Sequence, residues 1–441
     1  MAELTLMKNA AEQQLAAEWQ KAKDTLPGAA PLRAAAFERF ASVGLPHRRV
    51  EEWKYTDLRA LMRDAKPLAA PPDAAAKARA REAGAIVGDL DVRRLTFVDG
   101  AFVPELSDVK DLSAGLTIRP MAQALAANDP LVNRYLGQVI ATDDPAVALN
   151  TAFMGDGAVI HVAAGAVVER PLHLVFAASG DKPAALFTRS LVVIEQGARA
   201  MLIESHEGGA TRDYQVNTAL DLSVADNAHV DHIKITREGA KALHMSSLMA
   251  DVGAHARFNT FVFTIGAGIV RNQLFLRFGG EGTLANIRGA SLLKGREHVD
   301  TTMLVDHAAV GCQSREVFKT VLDDEAHGVF QGRIIVRRGA QKTDGKMMAQ
   351  ALLLSERAEA DNKPELEIFA DDVQCGHGAT SGALDEELKF YLMARGIPAA
   401  EAEALLIQAF LGEAIEGIEH AGLREALTDC TVGWLKARGK R

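Results

Sequence analysis

Apolar residues change their spacing twice along this chain, and the changes divide it into three. An Ala-, Glu-, Gln- and Lys-rich stretch over Ala10–Leu26 and a second over Leu32–Val43, stopped by Gly44 and Pro46, predict helices. The Pro- and Ala-rich run from Pro67 to Gly84 reads as a linker carrying a short helix. At Leu95 the period falls to two: Leu95–Val98, the turn pair Asp99-Gly100 and Ala101–Val103 predict a β-hairpin. From about Ala148 to Thr380 short β-type runs are punctuated by Gly, Asp and Asn, with no convincing long amphipathic helix among them. Helical spacing then returns, with Asp385-Glu386-Glu387 as the acidic first turn of a helix ending at Arg395-Gly396 and Pro398 opening a longer one. The units expected are a helical domain over 1–90, a β core with its leading hairpin over 91–383 and a helical domain over 384–441.

The β region repeats. Turn-like clusters place Ala166, Ala198, Ala228, Ala256, Ala326 and Ala358 at what read as corresponding points, at a recurrence of roughly thirty residues with one wide gap after Ala256. A small residue at a recurring corner, followed by alternation such as Ile233 and Ile235, Phe261 and Phe263, or Leu366 and Ile368, suits the stacked coils of a β-helix. A β-sandwich of similar strand spacing stays open on periodicity alone.

In the last helix Ala404, Ile407, Leu411, Ala414 and Ile418 form one apolar stripe, while Leu405, Leu406 and Phe410 widen it. That width implies either two burial partners or a helical bundle closed on itself.

Composition narrows the function. A formal net charge of −9 argues against a nucleic-acid partner. No basic, apolar leader opens the sequence and no run of about 18 uncharged apolar residues occurs, so a cytoplasmic protein without a membrane partner is expected. The three cysteines, Cys312, Cys375 and Cys430, are too few and too scattered for a disulfide framework.

The familiar catalytic signatures are missing. Gly339–Lys346 approaches a phosphate-binding loop but has five residues between its glycines, and Met347 stands where the magnesium-binding hydroxyl belongs, so no ATP site is expected in this chain. One cluster is chemically suggestive: Asp371, Asp372, Cys375 and His377 lie together where the β region ends. Thiolate and imidazole are common iron and zinc ligands, and a strand aims Cys375 and His377 at one side. An isolated Cys-x-His is more often packing than ligation. Cys312 and Cys430 read as packing cysteines, and His307 and His327 as surface or turn residues.

Ser314–Ile397, including Cys375-Gly376-His377-Gly378-Ala379-Thr380, closely resembles the SufB/SufD family of iron–sulfur cluster assembly proteins, SufD in particular; Pro46–Leu58, Leu95–Ser107 and Ala148–Phe153 extend the resemblance over most of the chain. Gly378 stands where SufB typically has Glu, which favours the SufD side. The resemblance implies a right-handed parallel β-helix between two helical domains. It further implies a non-catalytic scaffold that pairs with SufB through the β-helix, or with itself when SufB is absent, and holds the SufC ATPase through its C-terminal helices, here around Leu405, Leu406 and Phe410. A transient Fe–S cluster shared with SufB is implied at His377, with Cys375 beside it in a lesser role and Gly376 replacing a serine common in the family. Removal of residues after Pro398 is expected to abolish SufC binding while the solenoid survives. A SufB-like cluster scaffold is the near alternative, and a cytosolic β-helix enzyme the distant one.

Overall fold

The computed structural model describes residues 8–438. Helix Ala10–Ala22 starts at a capping box, Asn9 Oδ1 accepting from the Glu12 amide at 2.8 Å while the Glu12 carboxylate accepts from the Asn9 amide at 2.7 Å. It packs with helices Ala30–Val43 and Pro145–Phe153 through an aromatic cluster, Trp19 stacked on Phe37 at 4.8 Å and Phe153 on Phe187 at 5.0 Å. Phe187 belongs to a solenoid strand, so the N-terminal helices are fixed to the outer face of the sheet by their largest apolar side chains.

Successive strands alternate between a ten-stranded and a nine-stranded sheet, and each pairs in parallel with the strand one coil away. The result is a parallel β-solenoid of about eight turns. A sandwich, built of antiparallel strands, is excluded because the regular strands pair in parallel one coil apart. Antiparallel pairing occurs where the regular coils begin: in the hairpin Arg93–Val98 with Ala101–Phe102, and between Leu116–Pro120 and Ala158–Val162. Strand Arg93–Val98 also pairs in parallel with Leu172–Ala178, which splices the hairpin onto the first coil.

The corners explain the sequence repeat and correct part of it. Gly165, Gly197, Asn227, His255, Gly282, Gly311 and Lys342 form one column with φ between 53° and 71°, the left-handed conformation that Gly and Asn adopt at least cost. Each passes its amide to a carbonyl of the next coil, Gly197 to Asp226 at 2.9 Å and Asn227 to Ala254 at 2.8 Å, for example. The residue after each is small and turned inward: Ala166, Ala198, Ala228, Ala256, then Thr283, Cys312 and Thr343. The wide gap after Ala256 therefore contains regular coils whose corner residue is not alanine. Ala326 and Ala358 do not belong to this column; they precede His327–Val336 and Glu359–Ile368, strands of the other sheet. The near-miss phosphate loop is one more such corner, leading into strand Asp344–Leu353 and not into a helix. His307 is also corrected: it is fully buried, with Nε2 3.0 Å from Ser314 Oγ.

The apolar alternation has two destinations. Phe97, Phe176, Phe258, Leu276, Phe278 and Ile334 fill the space between the sheets. Ile233, Ile235, Phe261 and Phe263 face outward and are covered by helices Ala399–Ile415 and Ala421–Arg438 through Ile407, Leu411, Ala414, Leu423 and Leu427. The excess apolar width of the last helices thus has the solenoid as one partner. Leu405 stays 42% exposed, Leu406 is half-buried, and Phe410 leans on the sheet with Lys319 Nζ 4.5 Å above its ring.

Candidate functional site at the open end of the solenoid

Glu359–Ile368 and Gln374–Gly382 are the last strands of the two sheets, and among the described residues no further strand pairs with either edge. The register sets Cys375 beside Gly345 and His377 beside Met347. Both therefore project on the inward side of the strand, over buried Met347 and Ala349, at the level where the interior is no longer roofed. Cys375 is half-buried against the core, whereas His377 is exposed. The structure thus places these two expected site residues on one face of one strand. Asp371 and Asp372 fall on the preceding corner, and Asp372 is held by Lys342.

Burial, aided by the carboxylates of Asp344 and Glu316, holds the Cys375 thiol above its ordinary range, against an opposing hydrogen bond from Gly345. At neutral pH it is a thiol, and a metal ion has to displace its proton before it can ligate.

The two edges differ chemically. Glu359–Ile368 carries Asp361, Lys363, Glu365 and Glu367 together with Pro364, the devices by which edge strands resist pairing. Gln374–Gly382 has neither charge nor proline. Gln374 gives its amide to Thr343 O at 2.8 Å. Alternate residues of a parallel strand spend both backbone groups on one neighbour, so Cys375, His377, Ala379 and Ser381 keep theirs for the open side.

Two family models match the chain. The SUF system FeS cluster assembly, SufBD core domain, covers residues 176–410, and the SufBD protein N-terminal region covers residues 12–174. The chain belongs to the SufBD family. An iron–sulfur cluster assembly SufBD family protein of Synechocystis sp. is 32% identical over 412 residues, 90% of this chain and 89% of that one. The iron–sulfur cluster assembly protein SufD of Escherichia coli is 30% identical over 393 residues, 88% of this chain and 89% of its own. Its namesake in Bacillus subtilis is 24% identical over 405 residues, 90% of this chain and 91% of its own. Three features of the structure lie outside the sequence reading.

The first is the apolar surface of the expected helix, Glu386–Met393, which buries no residue and leaves Leu388, Tyr391 and Met393 exposed, with Phe390 at 72%. The run Phe390-Tyr391-Leu392-Met393 was the available signal, since four consecutive apolar residues cannot all lie on one buried face of a helix. The second is a polar layer inside the middle coils: Lys234 Nζ reaches Thr236 Oγ1 at 2.7 Å and Asn272 Oδ1 at 3.1 Å, with Glu204, His206, His232 and His244 buried around it. The third is Glu316, two coils beneath His377 in the same inward column.

Burial pushes the Glu316 carboxyl from 4.5 up to about 8, outweighing Ser314 and Arg315. The unfolded chain releases this proton near 4.5, whereas the folded chain keeps it to about 8, so stability falls as pH rises through that window. Glu316→Gln is expected to raise the unfolding temperature at about pH 8.5 much more than at about pH 5, a difference on the order of a few kcal/mol. Thermal melts at the two pH values check it; an equal shift at both contradicts the assignment.

Proposed function

We propose that this chain is the SufD-type scaffold subunit of an iron–sulfur cluster assembly complex. It pairs with SufB along the strand Gln374–Gly382, docks the SufC ATPase through its C-terminal helical unit, and offers His377, with Cys375 behind it, to a nascent cluster that is cargo. The observation that carries the reading is the uncharged, unpaired edge on which the imidazole is exposed. The relatives named SufD over most of the chain support it.

Such a scaffold must release what it holds. One exposed imidazole and a thiol that costs free energy to deprotonate make an incomplete ligand set, so the remaining ligands come from the partner across the edge. When the partner moves, the cluster loses part of its coordination and leaves. The chain then needs no catalytic residue, and the energy for movement comes from the ATPase.

His377→Ala tests this directly in a complex co-expressed with SufB and SufC. The fold and the assembly are expected to persist, because an exposed side chain contributes little to the core, while iron and sulfide retained by the purified complex fall sharply. Cys375→Ala is expected to lower them less. A correctly assembled His377→Ala complex that matures clusters at the unmodified rate rejects the ligand role. Recovery of self-paired chains only, from cells that also make SufB, rejects the heteromeric reading.

A further inference from the structure

Away from the open end, His229, Asp231 and Glu419 bring an imidazole nitrogen and two carboxylate oxygens within 4.8 Å of one another. His229 and Asp231 alternate on the outer face of strand His229–Arg237, and Glu419 lies in the turn between helices Ala399–Ile415 and Ala421–Arg438. We propose that these three residues form a divalent-cation site for a zinc-class ion, fastening the C-terminal helical unit to the solenoid.

The donors suit that class, since one nitrogen and two carboxylates bind first-row divalent ions, and donors around a tetrahedral ion at ~2.1 Å stand about 3.4 Å apart. His229 Nε2 already lies 3.6 Å from Asp231 Oδ2. That nitrogen is enclosed and makes no hydrogen bond. Asp231 is oriented from behind: Asn259 Nδ2 donates to its Oδ1 at 2.7 Å and Asn286 Nδ2 donates to Asn259 Oδ1 at 2.9 Å, which leaves Oδ2 turned toward the imidazole. Such outer partners fix ligand carboxylates in metal sites. A cavity of about 20 Å³, the room for one water or ion, adjoins the cluster on the side of Asp231, Asn259 and Glu419, with His229 outside its lining.

Three cations stand nearby, Arg199 being in register with His229 on the adjacent strand. Arg288 borders the same cavity, and Arg257 pairs with Glu419 Oε1 at 2.6 Å. The Arg257 pair is half-exposed on both sides, so it contributes little and gives way readily to an ion held by three ligands. Arg257 thus keeps Glu419 over the strand when no ion is bound.

The test uses the full-length chain carrying Cys375→Ala and His377→Ala, so that the open end contributes no ligands. After chelation and dialysis, calorimetric titration with Zn²⁺ is expected to give one equivalent, and Co²⁺ is expected to give visible bands without a thiolate charge-transfer band. His229→Ala and Glu419→Gln should each weaken Zn²⁺ at least tenfold, and Zn²⁺ should slow amide exchange over residues 417–420. Arg257→Ala, a surface change that the fold tolerates, should bind Zn²⁺ several-fold more tightly. Failure of the chain to bind Zn²⁺, or affinity unchanged in folded His229→Ala or in Arg257→Ala, overturns the site.

Discussion

A chain ending at Pro398 is expected to aggregate when expressed, in place of the soluble solenoid that local coil-to-coil stability suggests. The two helices lost are those that cover Ile203, Ile233, Ile235, Phe261, Phe263, Leu292 and Val321 on the outer face of the ten-stranded sheet. At roughly 1.5–3 kcal/mol for each large apolar side chain returned to water, the loss is on the order of 10 kcal/mol or more, comparable with the whole stability of a typical domain. The exposed strip is also contiguous, which favours association between chains. Fractionation of soluble and insoluble material checks this, with polar replacements at Ile233, Phe261 and Phe263 expected to restore part of the soluble yield. A monodisperse truncated chain with an unchanged melting temperature sinks the argument. Loss of SufC binding on truncation is consequently no proof of docking, since unfolding produces the same result. Leu405→Asp and Phe390→Ser keep the solenoid covered and leave the exposed apolar side chains as the only change.

The solenoid was legible because its corners need left-handed backbone and small inward residues, and Gly197-Ala198 and Asn227-Ala228 display both in the sequence. Where His255 and Lys342 take the same conformation, or where Thr283 and Cys312 replace alanine, the coil is present without its signature. Ala326 and Ala358 mislead for the converse reason, being small residues at the opposite corner. Outward residues such as Ile233 and Phe261 cannot be told from inward ones by alternation, because a strand covered on both faces is apolar on both. The placement of Cys375 and His377 on one face follows from period two. That this face lies at an uncovered end depends on which strand is last in each sheet, and the chain does not announce that. The site His229, Asp231 and Glu419 was out of reach, since nearly two hundred residues of sequence separate its strand from its turn.

Ala379→Pro is expected to abolish pairing with SufB while leaving this chain folded. Ala379 lies on the open side of strand Gln374–Gly382, in the alternation that sends the Gln374 amide to Thr343 and leaves the amide of Ala379 for a partner. Proline at that position removes no hydrogen bond from this chain's own ladder, and its ring, turned to the open side, meets no strand among the described residues; edge strands accept it for that reason. A partner strand laid against the same edge loses one main-chain hydrogen bond and meets the pyrrolidine ring where the amide hydrogen should be. Gly378→Pro makes the necessary contrast, because the amide of Gly378 belongs to the ladder with strand Asp344–Leu353, so it should lower the melting temperature whether or not SufB is present. Size-exclusion chromatography of co-expressed proteins, read beside melting curves of each variant alone, separates the two effects. Should Ala379→Pro elute with SufB in undiminished yield, partner pairing does not run along this edge, and the exposed imidazole of His377 loses the shared interface that its proposed role in cluster assembly requires.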